Sequence, residues 1–116
     1  MSQTIAQQAL DILTPIPVDH FITGKYSGND GYNGQFHCAM GFFNLAVNKN
    51  DHPTYAVHSD VEFVLRKASR EFIRSKGILG SADIIVVNDR PVGEYNESNP
   101  KDRVIHLLND MIAAGL

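Results

Sequence analysis

The stretch from Ser59 to Gly77 constrains the fold most, because its pattern reads as only one kind of element. Ser59 followed three residues later by Glu62 is a capping box, in which two side chains satisfy two amide donors left open at a helix start. Behind it Val61, Val64, Leu65, Ala68, Phe72 and Ile73 recur at helical spacing and give an apolar face to bury. Lys76 followed by Gly77 supplies the stop, since glycine takes the left-handed conformation with which helices commonly end. The span 59–76 is therefore predicted to be an amphipathic helix that other elements must cover.

Three further helices are predicted. Residues 2–13 carry Ile5, Ala9, Ile12 and Leu13 at helical spacing, with Ser2 or Thr4 as cap and Pro15 and Pro17 as the stop. A second helix runs from about Cys38 to Val47, where Phe42 and Leu45 are apolar and Gly41 lets another element come close. It ends at Asn48–Asp51 and Pro53. The last begins at Asn99 as cap with Pro100 in the first turn. Val104, Leu107, Leu108, Met111 and Ile112 form its buried face, and Gly115 closes it.

Two segments have strand composition. Phe21–Tyr26, a wide turn through residues 27–34 and a return at Gln35, Phe36 and His37 read as a hairpin. Ile84-Ile85-Val86-Val87 is a β-branched run that reads as a short buried strand. The expected fold is mainly α within an α+β class. About four helices pack around a two- or three-stranded β element in a single domain, residues 1–116.

The bulk composition narrows the function classes. Hydrophobic residues make up 43% and charged residues 20%, an ordinary globular balance. A net charge of −3 points away from nucleic acid. No apolar run approaches the ~20 residues a membrane helix needs, and Met1–Leu13 does not read as a signal peptide. Cys38 is the single cysteine, which rules out an internal disulfide and suits a reducing, cytoplasmic setting.

No cofactor motif is complete. Gly24-Lys25 is followed by Tyr26 rather than the Ser or Thr a P-loop requires, and Asn29-Asp30-Gly31 lacks the ligand series of a calcium loop. His52 and His58 are separated by a proline and meet no metal-ligand spacing. Neither cofactor nor metal is expected.

Cys38 is the candidate nucleophile. It lies at a helix start, where aligned peptide dipoles favour thiolate. His37 adjoins it, and His52, His58, Asn88 and Asp89 follow. That order is similar to the one in papain-like hydrolases, although His58 leads into a helix rather than a strand. The plainer reading is a core thiol packed beside Ala39, Gly41 and Phe42. Asn88 and Asp89 likewise read first as turn formers.

The stretches Phe36-His37-Cys38-Ala39-Met40-Gly41 and Ile84–Asp89, followed by a final amphipathic helix, resemble a family of small uncharacterised domains from bacteria and their phages. That family shows an aromatic-x-Cys-Ala-x-Gly helix start and an apolar-Asn-Asp motif. Its members often carry tryptophan where this chain has Phe21 and Val87. The resemblance implies a compact helical domain with a small β element, of bacterial or phage source, and no activity.

The favoured function is a small cytoplasmic binding or regulatory protein acting by protein contact. Its expected surfaces are the loop with Tyr26 and Tyr32 and the basic ridge of Arg66, Arg70 and Arg74, set at i, i+4 and i+8. One alternative is a cysteine-dependent hydrolase or transferase with Cys38 as nucleophile, His58 as base and Asp89 or Asn88 as orienter. Another is weak nucleic-acid binding through the basic face of helix 59–76.

Overall fold

The computed structural model describes residues 3–28, 34–47, 60–78 and 80–116. In chain order its helices are α1 (Ile5–Leu13), a 3-10 turn (Val18–His20), α2 (Ala39–Val47), α3 (Asp60–Ser75), α4 (Ile84–Asp89) and α5 (Pro100–Ala113).

Helix α2 is enclosed over its first six residues, as their mostly apolar sequence requires. Ala39 to Asn44 are buried without interruption, and a stretch apolar around most of its circumference must be covered around most of it. Each of the other four α-helices touches it. Helices α1 and α5 pack side by side in opposite directions. Lys101, in the first turn of α5, donates to the carbonyls of Thr14 and Ile16 just past the end of α1. At the far end Ala6 N–H reaches the Leu116 carbonyl. Ala6, Ala9 and Leu13 of α1, Phe43 of α2, Leu65 and Ile73 of α3, Ile84 and Val87 of α4 and Val104, Leu107, Leu108 and Met111 of α5 share one core.

The caps explain most boundaries. Thr4 Oγ1 accepts the Gln7 amide at the start of α1, and Asn99 Oδ1 accepts the Asp102 amide at the start of α5, with Pro100 in the first turn. Gly77 ends α3 with a φ of +83°. Ser59 of the expected capping box and the expected caps beyond Val47 lie outside the described residues.

The β element is corrected. Among the described residues there is no strand, and the expected hairpin reduces to isolated bridges from His37 to Phe21 and to Ser27. The expected strand Ile84–Val87 is helix α4. Its β-branched run is overruled at both ends by polar groups. Asp83 Oδ1 accepts the amides of Ile85 and Val86 as an N-cap, and Ser69 Oγ of α3 accepts the Ile84 amide. At the other end the Arg103 side chain, reaching over from α5, donates to the carbonyls of Val87 and Asn88. One face of this short helix, Ile84, Val87 and Asn88, is buried. Val64, expected in the buried face of α3, is 51% exposed.

Candidate functional site

Two regions carry the expected functional residues: the crevice above Cys38 and the outer face of α3. They share a wall, because Tyr26 borders the first and bonds to Glu62 beside the second.

In the crevice, Asn88 is fully buried and fastens three segments. Its Oδ1 accepts the Ala39 amide at the start of α2 (3.0 Å). Its Nδ2 donates to the Ile22 carbonyl (2.9 Å) and to Asp89 Oδ1 (3.1 Å). Asp89 Oδ1 also accepts the Gly24 amide (3.0 Å). Both side chains are thus spent on holding backbone. Behind them Arg103, 4% exposed, donates to the carbonyls of Val87, Asn88 and Glu97. The Val87 and Asn88 carbonyls belong to the last turn of α4, so their dipoles face the guanidinium.

Cys38 is 2% exposed. Burial pushes its thiol up to about 11, and the charges of Asp89 and Glu62 act in the same direction. The amides of Gly41 and Met40 oppose that shift, the Gly41 amide lying 3.4 Å from Sγ, and are outweighed. At neutral pH the sulfur is therefore a protonated thiol, a poor nucleophile. His37, next to it in sequence, is committed elsewhere. Its Nε2 lies 2.7 Å from the Gly34 carbonyl and its Nδ1 lies 2.9 Å from Ser27 Oγ. A carbonyl only accepts, so Nε2 carries a proton. The crevice itself, lined by Gly24, Lys25, Tyr26, Cys38, Ile85 and Asp89, measures about 70 Å³. Ligand pockets start at roughly 300 Å³. His58, the candidate base, and Tyr32 lie outside the described residues.

Tyr26, expected as an exposed anchor, is half-buried and donates its hydroxyl to Glu62 Oε1 at 2.5 Å. Burial first, and then this carboxylate, raise the phenol above its ordinary pKa. Tyr26 therefore ties the loop to α3 rather than standing free.

The outer face of α3 is more open. Phe63, Lys67, Arg70 and Arg74 follow one another at i, i+4, i+7 and i+11, so they stack along one side of the helix. Phe63 is 67% exposed, and Val64 beside it is also exposed. Arg66, one turn along, gives its Nε to Asp83 Oδ2 at 3.0 Å. Burial works against the Arg66 charge, but the Asp83 carboxylate more than offsets this and the pKa is raised. Glu62, Phe63, Arg66 and Arg70 line a cleft of about 170 Å³ on this face. The sequence spacing placed the three arginines on one side. It did not single out Phe63, whose 67% exposure is visible only in the fold.

Compared with known families, with curated proteins and with solved structures, the chain matches none of them. No helix among the described residues is long and apolar enough to cross a membrane.

Proposed function

We propose that this chain is a small binding module whose docking surface is the outer face of α3. Phe63 serves as the apolar anchor, flanked by Arg66, Arg70 and Arg74, and the partner is a protein carrying a hydrophobic pocket rimmed by carboxylates. The observation that carries the reading is Phe63 at 67% exposure at the head of a basic row. A large aromatic left in water gains nothing from burial until a partner covers it, and aromatic and arginine side chains dominate the energetics of protein contacts. The −3 net charge favours a protein partner over a polyanion such as nucleic acid. The lone, buried Cys38 is consistent with a cytoplasmic setting, and the motifs at 36–41 and 84–89 are consistent with a bacterial or phage source.

The test compares the wild-type chain with Phe63→Ser and Arg70→Glu as baits in lysate of the cells that make it. The expected result is one stoichiometric protein retained by the wild type and lost by both variants, with their helical circular dichroism unchanged. A wild-type chain that always elutes alone, or a companion retained equally by all three, would refute the reading. Release of the companion by nuclease would move the assignment to nucleic acid.

A further inference from the structure

Away from α3's basic face, a second cluster of polar side chains gathers where α5 meets the turn before it. His106 and Asp110 are four residues apart on α5, so they lie one above the other on the same face. Glu94 comes from the turn in which Val92 and Tyr95 exchange backbone hydrogen bonds of 3.0 and 2.9 Å. One ligand atom from each of Glu94, His106 and Asp110 lies within 4.8 Å of the other two. His106 Nε2 is 3.6 Å from Asp110 Oδ2. Around a tetrahedral zinc ion with bonds of roughly 2.0–2.2 Å, neighbouring ligand atoms stand roughly 3.3–3.5 Å apart. Small side-chain movements reach that spacing.

The surroundings of these three groups hold them in place. Glu97 Oε2 lies 2.8 Å from His106 Nδ1, so this carboxylate stands at the ring nitrogen that does not face Asp110. The Tyr95 ring packs edge-on against the imidazole with centroids 4.7 Å apart, which fixes its plane. The Tyr95 hydroxyl donates to Asp110 Oδ2 at 2.9 Å. A carboxylate behind the histidine and a donor behind the ligating carboxylate are the usual supports of metal ligands.

A cation already lies among them. Lys76, at the end of α3, forms an ion pair with Glu94, and its Nζ is 3.8 Å from Asp110 Oδ2. The side chain is long and partly exposed, and it can leave for solvent without moving backbone.

We infer that Glu94, His106 and Asp110 bind a divalent transition-metal ion, with zinc the best fit, and that the ion takes the place of the Lys76 ammonium. Imidazole nitrogen suits zinc better than it suits calcium or magnesium. Three protein ligands leave the fourth tetrahedral position to water.

The test titrates the purified full chain with zinc by calorimetry, and with cobalt to read the absorption bands of tetrahedral coordination. One equivalent of each is expected to bind. His106→Gln and Glu94→Gln should each weaken binding at least tenfold. Glu97→Gln, which touches no metal, should weaken it about 10- to 100-fold through the histidine. Lys76→Met should tighten it, because the competing charge is gone. Circular dichroism of each variant without metal establishes folding. Glu94 is exposed, so its variant tests the site even if His106→Gln fails to fold. No saturable binding, or binding unchanged in Glu94→Gln and His106→Gln, would overturn the assignment. Weaker binding in Lys76→Met would overturn the displacement.

Discussion

The carbonyl oxygen of Tyr26 stands 2.3 Å from the place a Cβ on Gly41 would occupy. Helix α2 can lie against the 21–27 segment at this distance only because position 41 has no side chain. Gly41→Ala gains up to about 1 kcal/mol of helix propensity. It also forces apart two backbones that the Cys38 N–H to Tyr26 carbonyl bond of 3.1 Å holds together. Overpacking of this kind costs about 3 kcal/mol. The net expectation is a loss near 2 kcal/mol in urea unfolding, and a stabilised variant would contradict it.

Asn88→Ala should be among the most damaging single substitutions. It leaves the Ala39 amide and the Ile22 carbonyl without their side-chain partner, at about 1–3 kcal/mol for each buried group. Asn88→Asp keeps the acceptor for Ala39 but loses the donor and sets a charge beside Asp89. Its instability should therefore ease on acidification, as read from thermal midpoints at successive pH values.

Arg103 gives a sharper comparison. Its three carbonyl partners are spread over Val87, Asn88 and Glu97, which suits the fork of a guanidinium. Arg103→Lys keeps the charge but cannot span all three. Both Arg103→Lys and Arg103→Met should lower the thermal midpoint, and full rescue by lysine would mean that charge alone matters.

For Cys38 the proton linkage has a definite sign. Its folded pKa, about 11, lies above the ordinary 9.0. The folded state thus holds the proton more tightly than the unfolded chain does. Its contribution to stability is complete below pH 9 and is lost as pH rises toward 11. A shift of this size corresponds to roughly 3 kcal/mol. The stability difference between wild type and Cys38→Ala should shrink by that order across this window, and alkylation at neutral pH should be slow until the chain unfolds. Rapid labelling at pH 7 would contradict the buried thiol.

Phe63→Ser should leave stability within about 0.5 kcal/mol of wild type, since the side chain is mostly in water. A larger loss would mean that the ring is needed for the fold and is not available for docking.

How much of this could be read from the sequence depends on whether the deciding group is local. Thr4, Asn99, Pro100 and Gly77 act within a turn of their own position, so α1, α5 and the end of α3 were legible. The apolar run 84–87 was not. The groups that make it helical are Asp83 beside it, Ser69 on α3 and Arg103 on α5, and only the first is nearby. Glu62 could be read as a cap partner from its distance to Ser59, whereas its bond to Tyr26 spans 36 residues. Of the candidate surfaces, the arginine row follows from helical spacing. The i, i+4 relation of His106 and Asp110 was also present in the sequence, but the arrival of Glu94 and Lys76 beside them needed the fold.

The bonds made by Asn88 also bear on how the chain assembles. The Ala39 amide is held by a side chain 49 residues away, and the Ile22 carbonyl by the same side chain across 66. None of the three segments can complete its hydrogen bonding while either of the others is apart. The start of α2, the 21–24 loop and the end of α4 should therefore open and close as one cooperative unit. The Ala39 and Gly24 amides should then exchange with solvent hydrogen only at the rate of that shared opening, although Gly24 lies on an exposed loop.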